Sequence, residues 1–367
     1  MSLSLTHHRQ DMRLKEPFRI SGYLFEAMPA VVAHVSDGMH TGRGEGGGVY
    51  YLNDDSAHME VEIERARSAI EAGISREELR HVLPAGGARN ALDCALWELE
   101  SLRACVPVAT LAGVGSPKPL ITTFTIPADK PSEVLRRLEP LAAAKAIKIK
   151  LEGKFDADVE RVQTVRRARP DAWIAVDANQ GYARDDLDRL VAVLVEERVS
   201  LLEQPVARGA EAELDGWRSP IPIAADESIL DLAELAAQHH RFDVINIKLD
   251  KCGGLTEALI MAHEARRLGK KVMVGNMAGS TLATAAGFIL GQFCDIVDLD
   301  GPYFLANHSD EGLYKNGEIY VADSLWGYSA QLGSTHEAAT PLSIASGAPM
   351  NSRQSQEVGS DISRSKL

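Results

Sequence analysis

The sequence predicts an α/β protein, a (β/α)-barrel of the TIM-like kind with an N-terminal α+β capping domain. Three observations carry that expectation. From about residue 120, eight short runs rich in apolar and β-branched residues follow one another, most separated by a stretch of helical periodicity. Polar residues closing seven of these runs recur at steps of 22 to 28 residues, about one strand–helix unit each: Lys150, Asp177, Glu203, Asp226, Lys248, Asn276 and Asp300. The chain before residue 115 lacks this rhythm and alternates like antiparallel strands.

Taken in order, ITTFTI (121–126) leads into PSEVLRRLEPLAAA, AIKIKLE (146–152) into DADVERVQTVRRARP, and AWIAVDAN (172–179) into DDLDRLVAVLVEER. VSLLEQP (199–205), IPIAADES (221–228), FDVINIKLD (242–250), KKVMVGN (270–276) and CDIVDLDGP (294–302) complete the set. Eight repeated strand–helix units favour a closed parallel barrel over an open sheet, and no Gly-rich dinucleotide fingerprint follows the first strand. In the N-terminal part, SLTHHRQDMRLKEPFRI and PAVVAHVSDG read as strands, with turn chemistry at Ser36-Asp37-Gly38. A helical stretch runs to residue 104, with Ala91, Leu92, Ala95, Leu96 and Leu99 on one apolar stripe. The glycine run in GEGGGVYYLNDD (44–55) suggests a mobile loop or a plain surface turn. The expected division is 1–115 capping domain, 116–312 barrel, 313–330 a segment returning to the cap, and 331–367 a Ser-, Gly- and Pro-rich disordered tail.

Composition narrows the function. At 367 residues the chain suits a barrel of roughly 200 to 250 residues plus an accessory domain. A formal net charge of −13 without basic clusters argues against nucleic acid or an anionic membrane as partner. No apolar run approaches the roughly 20 residues that span a bilayer, and the polar opening residues lead us to expect no signal peptide. Cys94, Cys105, Cys252 and Cys294 are scattered without a CxxC pair, so we expect buried thiols and a reducing, cytoplasmic setting. The closing Ser365-Lys366-Leu367 matches a peroxisomal address, a match we read as chance. Whether copies associate into a homo-oligomer is open.

Chemistry in a barrel sits where the strands finish. Three consecutive strands finish in an acid, Asp177, Glu203 and Asp226. Three carboxylates at one barrel mouth repel each other, and an oxygen-preferring divalent cation such as Mg²⁺ relieves that repulsion. Each acid alone could be an ordinary loop or cap residue. Asn179 shares the face of Asp177 and is placed to orient a ligand or a metal-bound water. Lys148 and Lys150 lie on one face of the second strand, as Asn246 and Lys248 do on the sixth. Those strands are opposite in a ring of eight, so Lys150 and Lys248 face each other across the acids. The alternative is salt bridges to those acids. Two opposed amines and Mg²⁺ suit removal and return of a proton α to a carboxylate, through an enediolate. A lysine serves as base once its pKa is lowered, which Lys148 and a cation beside Lys150 would do. Asp298 and Asp300 share a face of the eighth strand and suit a free ammonium, or else cap the strand or pair with Lys148.

With these residues in view, the chain resembles the enolase superfamily, in its muconate-lactonizing subgroup, and most of all the L-Ala-D/L-Glu (dipeptide) epimerases. The resemblance spans about residues 12 to 328 and rests on LPAGGARNALDCALWELE, KIKLEGK, VDAN, LEQP, ADES, VINIKLDKCGGLTEAL and DLDGP. It implies the modified enolase barrel, and a Mg²⁺-dependent isomerase acting on a small-molecule dipeptide. It also implies roles: Asp177, Glu203 and Asp226 as metal ligands, Lys150 and Lys248 as the acid/base pair, Lys148 in support of Lys150, Glu227 just behind the metal, and Asp298 and Asp300 as the ammonium anchor. The chain departs from the glutamate-specific members in the lid loop, Phe18 to Glu26, where they carry a basic residue. Here Arg19 comes early and Tyr23 and Phe25 are the candidate substrate contacts, so the second residue ranges from Glu to an uncharged or hydrophobic one. The rival readings are N-acylamino acid racemase, o-succinylbenzoate synthase or muconate cycloisomerase, then a Schiff-base aldolase, then a binder without turnover.

Overall fold

Five strands open the chain: β1 (Ser4–Gln10), β2 (Arg13–Ile20), β3 (Tyr23–Ala27), β4 (Ala30–Ser36) and β5 (Thr41–Gly46). In this computed structural model, which describes residues 2–306 and 312–329, β1, β4 and β5 form an antiparallel sheet, and β2 and β3 a separate hairpin. The tail expected at 331–367, with Ser365-Lys366-Leu367, lies outside the described residues.

The hairpin corrects the expectation of a lid loop at 18–26. Ser21 and Gly22 make a two-residue turn, with Gly22 at φ 75°, and Phe18 pairs with Phe25 and Ile20 with Tyr23 across it. Such aromatic and β-branched cross-strand pairs favour strand over loop. Helices α1 (Ser56–Ala72), α2 (Arg76–Val82) and α3 (Gly87–Ala104) follow, α1 capped by the Asp55 carboxylate and α2 by a Ser75–Glu78 capping box. Part of the glycine run is also strand. A Cβ on Gly42, Gly44 or Gly46 would lie 2.0, 2.1 or 2.2 Å from the carbonyl oxygens of Ala95, Ala91 and Gly87. The strand's period of two thus meets the helix turn by turn, and no side chain fits between β5 and α3.

After α4 (Val108–Leu111) and β6 (Leu120–Ile121) come the eight barrel strands and their helices. These are β7 (Thr123–Ile126), α5 (Pro131–Leu138), β8 (Ala146–Lys150), α6 (Phe155–Ala168), β9 (Trp173–Asp177), α7 (Arg184–Glu196), β10 (Leu201–Glu203) and β11 (Ile223–Ala225). They continue with α8 (Leu232–Gln238), β12 (Val244–Lys248), α9 (Leu249–Cys252), α10 (Leu255–Arg267), β13 (Lys271–Gly275), α11 (Thr281–Gly291) and β14 (Ile296–Val297). All eight lie in sequence order in one sheet, parallel wherever they pair. β15 (Tyr314–Lys315) and β16 (Glu318–Ile319) then pair back onto β6.

Outward residues such as Ile147, Ile149, Ile174, Val176, Ile245, Ile247, Val272 and Val274 pack beneath the helices. Inward residues are layered. Ala175, Leu201, Ala224, Val244 and Met273 plug the barrel's lower end, and two residues on along the first four of those strands stand the polar Asp177, Glu203, Asp226 and Asn246, with Gly275 on the fifth. The plug excludes water from below, so the polar layer opens only at the strand C-termini. The N-terminal strands and α3 lie over that end, with Leu14 bridging Leu305, Gly47 N–H donating to Asp250, and Arg89 donating to the Gly253 carbonyl. No helix among the described residues is long and apolar enough to cross a membrane. All four cysteines are free, and Cys105 is exposed because it ends α3 in a left-handed conformation, φ 53°.

Candidate active site

Strand register brings the candidate residues together. Lys150 lies beside Asp177 and Asp177 beside Glu203 in adjacent parallel strands, while Lys248 lies beside Gly275. β8 and β12 stand four strands apart in the sheet, so Lys150 and Lys248 approach from opposite sides. One carboxylate oxygen from each of Asp177, Glu203 and Asp226 lies within 4.8 Å of the others, and all three residues are buried. Local contacts fix two of them. Asn179, in a left-handed turn, donates its backbone N–H to Asp177 Oδ1 at 2.9 Å. Gln204 Oε1 accepts from the backbone N–H of Asp226 at 3.0 Å and of Ser228 at 3.1 Å.

The lysines hold these acids in ion pairs. Lys150 Nζ is 2.6 Å from Asp177 Oδ2, and Lys248 Nζ is 2.7 Å from Asp226 Oδ2. Lys148 reaches Glu203 at 2.7 Å, Asp298 at 2.8 Å and Asp177 at 3.3 Å. Burial alone would lower the pKa of Lys148 and Lys248, but Asp298 and Glu203 beside the first and Asp226 beside the second raise both above the ordinary lysine value. At these two lysines the acids outweigh the desolvation. Burial raises the Glu203 carboxyl, and Asp177 beside it adds to this, to about 7. Burial and the neighbouring Asp226 push Glu227 to about 8. Crowded acids of this kind have the oxygen donors and the excess negative charge that a hard divalent cation requires. Glu227 accepts from Asn179 Nδ2 at 3.3 Å, while Asn179 Oδ1 and Glu227 Oε2 are buried without a partner.

Asp298 and Asp300 do more than the sequence suggests. β7 and β14 close the barrel without a backbone ladder between them. Side chains stitch the seam: Leu299 N–H donates to Thr122 Oγ1 at 3.0 Å, Thr123 Oγ1 donates to Asp298, and Thr125 N–H donates to Asp300 Oδ2 at 2.6 Å. The pairing of Asp298 with Lys148, foreseen as an alternative, is present. Burial and then Asp298 push the Asp300 carboxyl up to about 7.

A cleft of about 690 Å³, part of it open to solvent, joins Lys148, Lys150, Lys248, Asp226, Asp298, Asp300 and Asn179. The N-terminal layer supplies its other wall, with Phe25 from the hairpin and Tyr50 and Tyr51 from the loop after β5. Tyr23 stays outside, about half exposed at the hairpin tip, where it stacks on Phe25 at 5.9 Å and meets Tyr50 edge-on at 4.7 Å.

Contributors that alternation does not reveal also appear. Lys251, at the end of a turn of helix after Lys248, is buried and donates to Asp226 Oδ1 at 2.6 Å and to the Asn246 carbonyl at 2.9 Å. Asn246 Nδ2 donates to Glu203 at 2.7 Å. Asn276 lines the cleft with a buried Nδ2 that has no partner. Its place as the polar residue closing the seventh run is the signal that could have found it.

Comparison with known proteins gives a consistent picture. Residues 133–318 match the family model described as enolase C-terminal domain-like. The L-Ala-D/L-Glu epimerase of Escherichia coli K12 is 37% identical over 312 residues, 84% of this chain and 96% of that protein. An enolase family member from Agrobacterium tumefaciens with homology to dipeptide epimerases, solved with sodium and L-Ala-L-Glu, superposes with a TM-score of 0.84 at 35% identity, over 89% of this chain and all of that one. The dipeptide epimerase of Enterococcus faecalis V583, complexed with Mg and L-Leu-L-Tyr, gives 0.81 at 26% identity, over 88% of this chain and 98% of that one.

Proposed function

Because the chain belongs to the enolase C-terminal domain-like family, we propose that it is a Mg²⁺-dependent dipeptide epimerase, inverting the α-carbon of the C-terminal residue. The observation that carries this reading is the placement of Lys150 and Lys248 on opposite sides of one buried carboxylate cluster, beside Asp298 and Asp300. Asp177, Glu203 and Asp226 would hold the cation. When bound, it supplies positive charge that occupies the lysines' carboxylate partners and stabilises negative charge on the substrate carboxylate.

The chain's own residues do the rest. One of Lys150 and Lys248 takes the α-proton, leaving an enediolate, and the other returns a proton to the opposite face. Lys148, paired with Glu203 and Asp298, keeps a positive charge beneath Lys150 and holds the acids in place. Asp298 and Asp300 would receive the free ammonium, with residues 1–115 acting as a lid domain over the barrel of 116–312. A library of dipeptides incubated in D₂O and read by mass spectrometry tests the reading. Deuterium at the C-terminal α-carbon, with appearance of the other epimer, is the expected result. Exchange of N-acylamino acids with none in any dipeptide would overturn it.

A further inference from the structure

Asn276 directly follows β13, the strand between β12, which ends in Lys248, and β14, which leads to Asp298 and Asp300. Among the described residues, the side-chain nitrogens lining the cleft are those of Lys148, Lys150, Lys248, Asn179 and Asn276. The first four each donate to a carboxylate, whereas Asn276 Nδ2 is buried and donates to nothing. An N–H kept dry without an acceptor carries a cost that a ligand's oxygen removes. A Cβ on Gly301 would lie 2.9 Å from Asn276 Nδ2, so this amide lies against the backbone directly after Asp300. The loop that carries it is fixed at its far end, where Ser280 donates its backbone N–H to Glu45 at 2.8 Å and its hydroxyl to the same carboxylate. The donor is held in place before any ligand arrives, which lowers the cost of using it.

We propose that Asn276 Nδ2 donates to the peptide carbonyl oxygen of the bound dipeptide. This role rests on the dipeptide epimerase reading above. In a ring of eight strands, β14 lies opposite β10 and β8 opposite β12. The substrate carboxylate points toward Asp177, Glu203 and Asp226, its ammonium toward Asp298 and Asp300, and its reacting α-carbon sits between Lys150 and Lys248. The peptide carbonyl stands midway along the covalent path from the ammonium nitrogen to that α-carbon. It therefore lies between the centre of the ring and β14, flanked by the ends of β13 and β7. On β7 the Thr125 N–H is committed to Asp300, so the nitrogen donor left on this side is Asn276. A hydrogen bond there fixes the peptide plane, and with it the direction in which the α-proton meets the lysines.

The test is a double cycle on the full chain with Mg²⁺. The parent and Asn276→Ala are each titrated by calorimetry with the dipeptide that the parent exchanges fastest, and with the thioamide of that dipeptide, whose sulfur is a poor acceptor. Thermal melts confirm that the variant is folded. The parent should bind the thioamide about tenfold or more weaker than the dipeptide. Asn276→Ala should raise Kd for the dipeptide about tenfold or more, and Kd for the thioamide less than about threefold. Equal losses on both compounds in the folded variant would show that Asn276 supports the barrel and not the carbonyl, and would overturn the role. An unchanged Kd for the dipeptide would overturn it too. Equal binding of the two compounds by the parent would do so whatever the variant does. Each of these results leaves the epimerase reading intact. A parent that exchanges no dipeptide would remove that reading and the role of Asn276 with it.

Discussion

Gly275 stands directly against Lys248: a Cβ there would lie 3.1 Å from Lys248 Cε and 2.8 Å from Asn246 Oδ1. Neither neighbour can easily give way, since Asn246 is bonded to Glu203 and Lys248 to Asp226. Gly275→Ala should therefore displace Lys248, one of the two proposed acid/base lysines, while leaving the barrel folded. We expect kcat to fall about 10- to 100-fold, with KM and the far-UV circular dichroism little changed. A variant with undiminished kcat would mean that Lys248 has room the structure does not show.

The two lysines should fail in complementary ways. Lys150→Ala and Lys248→Ala should each lower epimerisation by about 10³-fold. Each should still exchange the α-proton of one epimer in D₂O, the one whose proton faces the remaining lysine. If both variants exchange both epimers, the two-lysine mechanism is wrong.

Much of this was legible because a barrel strand is a ruler. Alternation puts Lys148 and Lys150, Asn246 and Lys248, or Asp298 and Asp300 on one face, and burial of the other face leaves that face only the barrel interior. Lys251 was not legible, because it reaches Asp226 from a helical turn beyond the strand, where a period of two says nothing. The threonines of β7 were silent for another reason. Thr123 and Thr125 look like ordinary β-formers, and their work of closing the seam depends on a strand some 175 residues away. Tyr50 enters the cleft from the cap, so its place rests on how β5 and α3 meet and not on any local pattern.

Metal removal gives a test that needs no substrate. On the proposed reading Mg²⁺ would bind the folded carboxylate cluster and not the unfolded chain, so adding it at about 100 times its Kd should stabilise the fold by about 2.7 kcal/mol. EDTA should abolish exchange and lower Tm, and Mg²⁺ should restore both. An Asp226→Asn variant should show no Mg²⁺-dependent rise in Tm. A rise of ordinary size in that variant would place the cation elsewhere.

Asp300→Asn separates binding from folding. The amide oxygen can still accept from Thr125 N–H, so the seam at β7 and β14 should hold. The charge offered to the substrate ammonium is lost, and KM for a dipeptide should rise about 10- to 100-fold. An unchanged KM would leave the anchoring to Asp298 or to neither acid.

The last prediction concerns pH and a carboxylate outside the reacting cluster. Asp250 Oδ1 accepts from Gly47 N–H at 2.9 Å and from Asn90 Nδ2 at 2.9 Å, pinning the loop that carries Tyr50. Burial is the main reason its carboxyl is pushed up to about 6 from the ordinary 3.8, with Glu45 and Asp54 adding to it. The folded chain thus holds this proton more tightly than the unfolded one. The resulting stability is complete below pH 3.8 and is lost as pH rises through 6. Asp250→Asn keeps an oxygen for both hydrogen bonds and cannot ionise, so it escapes that loss. Its stability should approach the parent's near pH 4 and exceed it progressively toward pH 8, by an amount on the order of 2 to 3 kcal/mol, with Tm rising accordingly. Thermal melts across pH 5 to 8 measure the gap, and one that stays constant would show that ionisation of Asp250 does not load the fold.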